Sequence, residues 1–413
     1  MEQNMSPFSG KSKKRKASDD AYFGCGFSLD ELNQDLLERV LSWLPPSSFF
    51  RLRSVCKRWN SVATSASFQL ACSQIPFRDP WFLMVDQDLD RSIVFDPAEA
   101  NWKILNHPAY LQQRHGCKPI PVASSGGLVC YRTESGDLIV CNPVTGACRQ
   151  LPPAGQASDN QTLHAITMYS SPKDPASYRI VLVSGEFSGL SFRVFDSATN
   201  RWQHELPLVQ KSENSSESSM TGDETVYFLS KAGDVVATDM QRSPSKQYSS
   251  VLTVENGEEV VYFLSQSGTV VTCNLARKTF SEHPRLLPIF SEYSIDVVEC
   301  NGEMLVVVLS EFLETASLRV WKFDRSWRQV AAMPPSMSHE FYGKKVDINC
   351  IGSGDMIFIC INSGDCSSYV LCNVVADEWK ELPKCCVNGK AKEFMSAFSF
   401  EPRLEASVCL SVS

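Results

Sequence analysis

Sixteen cysteines and six histidines are the side chains of this 413-residue chain best equipped to attack a substrate or hold a metal ion. Their spacing supports neither task. No Cys-x-x-Cys pair occurs, Cys385 and Cys386 are directly adjacent, and the histidines lack an HExxH run, so the clustered ligands of a zinc site are missing. No GxSxG or GxxxxGK(S/T) stretch is present to form a nucleophile elbow or a phosphate loop. "GSGD" at Gly352 reads as a turn. The cysteines are spread through strand-like runs with no apolar leader ahead of them, which points to reduced, structural thiols. No metal, cofactor or catalytic residue is expected.

Charge divides the chain. Residues 1–80 carry 11 Lys and Arg against 8 Asp and Glu, whereas the remainder carries 28 against 39. An acidic body is a poor match for a phosphate backbone, so direct nucleic-acid binding is not expected. The longest apolar run, "MLVVVLSEFL" from Met304, is well short of the ~20 residues of a membrane helix, and the chain reads as a soluble intracellular protein with no membrane contact.

The elements that must position any function fall into two kinds. Residues 1–26 are Ser-, Lys- and Gly-rich and are expected to be disordered. Within them Lys13, Lys14, Arg15 and Lys16 fit either a nuclear import signal or a solvated basic tail, which places the protein in nucleus, cytoplasm or both. From Leu29 to Leu44, apolar residues recur every three or four positions, the spacing of a helix face, until Pro45 and Pro46 break it. Ser47 or Ser48 is available to cap a following helix, where Leu52, Val55, Cys56, Trp59 and Val62 repeat the spacing and Arg51, Arg53, Lys57 and Arg58 lie opposite. About 40 residues make a marginal core, so this helical unit calls for a partner.

"LNQDLLERVLSWLPPSSFFRLRSVCKRWNSVATSASF", residues 32–68, resembles the F-box. The match includes Leu32, Asp35 and Leu36 at the start, Leu44-Pro45 after the first helix, and Val55, Cys56, Lys57 and Trp59, while Asn33 replaces the usual proline. The resemblance implies a three-helix domain over residues 27–72 with Leu52, Val55, Cys56 and Trp59 in its core. It also implies that Leu32, Leu36, Val40, Leu44 and Pro45 contact a Skp-type adaptor and, through it, a cullin-RING ubiquitin ligase.

Beyond Trp81 the period becomes strand-like, and one unit returns as "IVFDPAEANWKIL", "IVCNPVTGACRQLP", "RVFDSATNRWQHELP", "VVTCNLARKTFSEHP", "RVWKFDRSWRQVAAMP" and "YVLCNVVADEWKELP". Each reads as strand, acid or amide turn, and strand. Six positions after the turn residue stand Trp102, Trp202, Phe280 and Trp379, with Cys148 there in the second copy and Trp327 after a shorter turn. These aromatics are expected to fill the blade core. "VYFLSKAGDVVATDM" from Val226 and "VYFLSQSGTVVTCNL" from Val261 match at a 35-residue offset and suggest a further unit. Seven units over residues 81–403 would average about 46 residues each, a propeller-blade length, with six blades the alternative.

The unit resembles degenerate kelch repeats, although only Gly126-Gly127 supplies a diglycine. With "FSFEPRLE" at Phe398–Glu405, the chain is similar to plant F-box and kelch proteins of the HAWAIIAN SKIRT type. The expected architecture is multidomain: a small all-α F-box, an all-β kelch-like propeller over residues 80–405 and a tail over 406–413. The implied function is a substrate receptor without catalytic residues of its own, in which the propeller recruits an unknown protein target. A scaffold outside the ligase and a propeller enzyme with an axial ligand remain alternatives.

Overall fold

A computed structural model of the chain describes residues 32–408 apart from 87–91, 107, 109–110, 112–117, 155–161, 172–173, 212–226, 230–234, 238–245, 266, 288–292, 313 and 364–365. The expected basic tail, with Lys13, Lys14, Arg15 and Lys16, lies outside the described residues.

The helical unit has four helices, not three: α1 (Gln34–Ser42), α2 (Pro46–Leu52), α3 (Lys57–Val62) and α4 (Ala66–Ser73). Asn33 starts α1, its side chain accepting the Asp35 N–H, so it replaces the missing proline with a capping side chain. Pro45-Pro46 ends α1 and opens α2, where a proline costs no hydrogen bond. Neither expected serine caps α2, because the Ser47 hydroxyl is turned to Glu99 instead. Ser65 caps α4 through the Phe68 N–H. Of the residues of α4 only Phe68 and Cys72 are buried, too sparse a pattern to mark a helix in advance. The core is Leu37, Leu41, Phe49, Trp59, Val62, Phe68 and Cys72, with Phe49 stacked on Phe68 at 4.9 Å.

The second domain is a six-bladed β-propeller, correcting the seven-blade expectation. Its inner strands are Ser396–Phe400, Ile120–Ser125, Leu163–Ser171, Ser250–Glu255, Tyr293–Cys300 and Val346–Ser353, for blades 1 to 6 respectively. They neighbour one another around a closed ring. Blade 1 joins the two ends of the domain: Ser396–Phe400 pairs antiparallel with Trp81–Val85, Phe400 opposite Trp81. That pairing removes the free edges an open array would expose.

All six sequence copies are the third and fourth strands of the six blades, beginning with Ser92–Asp96 and Asn101–Leu105 of blade 1. The additional "VYFL" copy is a separate two-stranded sheet, Tyr227–Leu229 with Val235–Ala237. Its register, Tyr227 opposite Ala237 and Leu229 opposite Val235, reproduces that of Tyr262 with Thr272 and Leu264 with Val270 in blade 4. Among the described residues the duplication covers the middle hairpin of a blade. Where blade 4 has its inner strand "SVLTVE", the same offset gives the polar "SSESSM", and its outer strand has the counterpart "PSKQ". Polar sequence at both flanking positions gives the copy no apolar strands with which to build a four-stranded blade.

The turn residues of the copies with the longer turn have a local task. Asp96 accepts the Ala98 and Glu99 N–H groups, Asn142 those of Val144 and Thr145, and Asn373 those of Val375 and Ala376. Four positions after the turn residue the backbone is left-handed at Ala100, Gly146, Asn200, Lys278 and Asp377. Side-chain capping of the turn holds this less favoured conformation in place. Of "GSGD" only Gly354-Asp355 form the turn; Gly352 and Ser353 end the inner strand of blade 6, and Gly352 lies so close to the Glu299 carbonyl of the neighbouring inner strand that a Cβ would stand 1.9 Å from its oxygen.

Candidate functional site

Helix α1 is apolar on two faces. Leu37 and Leu41 turn inward to the helical core, while Leu36, Val40 and Trp43 are 55%, 54% and 65% exposed. Their spacing of four and three places them in one stripe, with exposed Pro45 at its end. Of the five residues expected to meet an adaptor, Leu36, Val40 and Pro45 are open to a partner, whereas Leu32 and Leu44 are half-buried against the helical core. Trp43 was not singled out by the helical spacing, yet it is the largest side chain of the stripe. Val55 is 66% exposed, which corrects its assignment to the core: it follows the end of α2 and faces outward before α3 begins. Trp59 is buried, and Leu52 and Cys56 pack at the edge of the core.

The helical unit rests on the propeller through polar contacts. Glu99, in the turn of blade 1, accepts the Ser47 hydroxyl (2.5 Å) and the Arg51 guanidinium (2.7 Å). The Ser47 hydrogen bond and Lys103 hold its carboxyl down to about 2. Arg78, on the connecting segment, donates to the carbonyls of Ser42 (2.8 Å) and Leu44 (3.2 Å) at the end of α1.

On the propeller, the expected blade-core aromatics divide. Phe280 is buried because Val209–Gln210 pairs onto the outside of its strand, whereas Trp102, Trp202, Trp327 and Trp379 are half-buried on the outermost strands of their blades. Three of them explain the recurring prolines. The indole N–H of Trp102 donates to Pro383 O (2.9 Å), that of Trp202 to Pro152 O (2.8 Å) and that of Trp327 to Pro284 O (2.7 Å), each proline lying at the end of the preceding blade. Trp379 donates instead to Asp377 in its own turn. These side chains bracket neighbouring blades.

Near the ring centre, where inner strands of blades 5, 6 and 1 meet, Lys246 is buried with its ammonium 2.6 Å from Cys350 O, 4.0 Å from Asp296 and over the Phe398 ring. Asp296 also accepts the N–H groups of Val297 and Cys350. The carboxylate is therefore neutralised by the chain itself. Among the described residues no group of three or more His, Cys, Asp or Glu is arranged to hold a metal ion. Burial pushes the thiols of Cys130, Cys273, Cys360 and Cys372 up to about 12, which keeps them protonated and unreactive. One pair departs from the reduced expectation: Cys141 and Cys148, opposite each other on the third and fourth strands of blade 2, are joined as a disulfide.

A four-helix unit with an exposed apolar stripe, seated on a six-bladed ring, defines the class: an F-box domain joined to a β-propeller. Residues 29–70 match the F-box domain and residues 94–345 match the KIB1-4 beta-propeller, so the chain belongs to the F-box proteins that carry this propeller. It is 50% identical to F-box only protein 13 of Arabidopsis thaliana, over 98% of this chain and 92% of that one. F-box only protein 6 of the same plant is 26% identical over 86% of this chain and 70% of its own length. An Arabidopsis F-box/kelch-repeat protein is 30% identical over 52% of this chain and 55% of its own. Among the described residues no helix is long and apolar enough to cross a membrane.

Proposed function

We propose that the protein is the substrate-recognition subunit of a Skp-cullin-F-box ubiquitin ligase, docking a Skp-type adaptor with its F-box and recruiting a protein target with its propeller. The observation that carries this reading is the stripe Leu36, Val40 and Trp43, exposed on the same helix whose Leu37 and Leu41 are buried. A folded domain gains nothing from three solvated apolar side chains in a row unless a partner covers them. The propeller contributes proximity: a bound target is held near the ubiquitin-loaded enzyme, and the rate rises by effective concentration without a catalytic side chain from this chain. F-box-only proteins typically act as non-catalytic adaptors of this kind, and the target meets the loops of the ring.

The finer kinship to the HAWAIIAN SKIRT type rests on "FSFEPRLE", a tract that closes blade 1 and runs on toward the F-box. Nuclear as well as cytoplasmic residence rests on Lys13 to Lys16. Deleting residues 11–16 from a tagged chain should lower its nuclear fraction, and an unchanged distribution would remove that assignment.

The test of the main reading is co-expression of the full chain with a Skp-type adaptor, size-exclusion chromatography, and addition of cullin, RING subunit and ubiquitin to the purified complex with proteins captured on the propeller. Co-elution and adaptor-dependent ubiquitylation of a captured protein are expected. A folded chain that elutes apart from the adaptor would overturn the proposal, and stable binding without ubiquitylation of any captured protein would favour a scaffold outside the ligase.

A further inference from the structure

We infer that residues 401–408 form a clasp holding the adaptor face of α1 in one orientation relative to the propeller, with Arg403 and Arg78 as its positioning residues. The inference rests on the adaptor reading for its purpose, but not for its geometry.

The connecting segment between α4 and blade 1 is "QIPFRDP", which includes two prolines and belongs to no helix or strand. Such a linker does not by itself fix the angle between two domains. Arg403 supplies what the linker lacks. Its guanidinium donates to the carbonyls of Ile75 (3.0 Å) and Pro76 (3.3 Å), reaching across more than three hundred residues of chain. Glu401 and Glu405 pair with the same guanidinium and keep its charge compensated at 8% exposure. Two positions further along the linker, Arg78 reaches the other way, to the last carbonyl of α1 at Ser42 and to that of Leu44 just beyond it, where a cation suits both the unpaired C=O groups and the helix dipole. Leu404 packs on the helical core.

The same tract is anchored on the ring. The Asn142 amide, in the blade 2 turn, donates to the carbonyls of Arg403 and Ala406 at 2.9 Å each. The Glu401 N–H donates to Gly126 O, and the Tyr178 hydroxyl to Val408 O. Ala406 and Val408 are buried with the blade 2 and blade 3 core, so these residues are no free tail. Gly127 lies beneath them: a Cβ there would stand 2.5 Å from Ala406 Cβ and 2.9 Å from Arg403 Cβ. The one diglycine of the chain makes room for the clasp. With Glu99 tying α2 to blade 1, the helical unit is held at the end of α1, at the linker and at α2. A receptor that works by proximity depends on such a fixed geometry, since small displacements lower the encounter rate at a target lysine.

The test is a distance distribution in the full chain, alone and bound to a Skp-type adaptor. Nitroxides are placed through p-acetylphenylalanine at Arg39 on α1 and Val375 on blade 6, both exposed, because the native cysteines rule out thiol labels. Wild type should give one narrow distribution. Arg403→Ala with Glu99→Ala should at least double its width while adaptor affinity stays within twofold and the circular dichroism of the chain at the working temperature remains that of folded protein. Arg403→Lys keeps the charge but not the planar fork that spans two carbonyls, so it should broaden the distribution to an intermediate width in a chain that folds normally. Unchanged width in either folded variant would overturn the clasp, as would broadening with a tenfold loss of adaptor affinity, which would mean that these residues fold the F-box. A wild-type chain with the narrow distribution, variants that broaden it, and no adaptor binding would leave the clasp standing and reject the ligase reading.

Discussion

Replacing Leu36 and Val40 together by Asp should abolish adaptor binding in a chain that remains folded. Each side chain is a little more than half exposed, so about half of the ~1.5–3 kcal/mol for full burial of such a residue is still to be gained on docking, roughly 1 kcal/mol apiece. A carboxylate forced into the same apolar contact adds at least the about 1–3 kcal/mol that an unpaired neutral polar group costs there at each site. The sum is at least about 4 kcal/mol, which at 1.4 kcal/mol per decade is on the order of a thousandfold in Kd. The folded chain loses much less. Neither residue belongs to the helical core, and lower helix propensity accounts for about 0.5 kcal/mol or less per site. Leu44 is a poorer choice, because it packs on that core and a charge there would unfold the domain it is meant to probe. Titration calorimetry with purified adaptor, beside thermal unfolding of the same samples, reads both quantities. A loss of less than tenfold in a folded double variant would refute the argument that this stripe is the docking face.

Three further outcomes follow from the propeller and its junction. Trp102→Phe, Trp202→Phe and Trp327→Phe each remove one inter-blade hydrogen bond and should each cost about 1 kcal/mol in urea unfolding, against near zero for Trp379→Phe, whose indole is bonded only within its own turn. Equal effects at all four would mean that ring burial alone matters. Gly127→Ala should destabilise the chain by about 1–3 kcal/mol through overpacking and be partly rescued by Ala406→Gly, the contact partner; calorimetric melting of the double variant checks this, and no rescue would place the strain elsewhere. The Glu99 carboxyl is held at about 2 against an ordinary 4.5, so its contribution is complete above pH 4.5 and fades as pH falls toward 2. Glu99→Gln should flatten that acid limb of a stability-versus-pH curve, and an identical limb would mean that other carboxylates carry it.

Local pattern was enough wherever a feature depends on residues close in sequence. The α1 spacing, the Pro45-Pro46 break and the strand-turn-strand units all answer to backbone preferences within a few residues and stand where the pattern places them, and the turn read at Gly352 falls two residues on, at Gly354-Asp355. The failures share another cause. Val55 repeats the apolar spacing of the second segment but follows the end of α2, so periodicity assigned it to a core it does not reach. The "VYFL" duplication is real down to its pairing register, yet a count of repeats does not register that the apolar strand sequences flanking the hairpin in blade 4 have only polar counterparts at the same offset. The pairing of Cys141 with Cys148 depends on their being cross-strand neighbours, which two residues six places past a turn amide and one before it do not announce.

The candidate site divides along the same line. That α1 carries more apolar residues than one face can bury is a property of the sequence, because helix geometry assigns every residue an angle. Which face remains open is not: Leu36 and Leu37 are chemically alike, and only the packing of α2, α3 and α4 turns one outward and the other in. The clasp lies wholly on the tertiary side. Arg403 meets Ile75 and Pro76, and Asn142 meets Ala406, only after six blades have closed and brought the end of the chain back beside its beginning. The sequence determined an F-box helix pattern and a ring of repeated strands through short-range geometry. The number of blades, the open face and the attachment of one domain to the other were decided by contacts between residues far apart in the chain, whose partners no local pattern names.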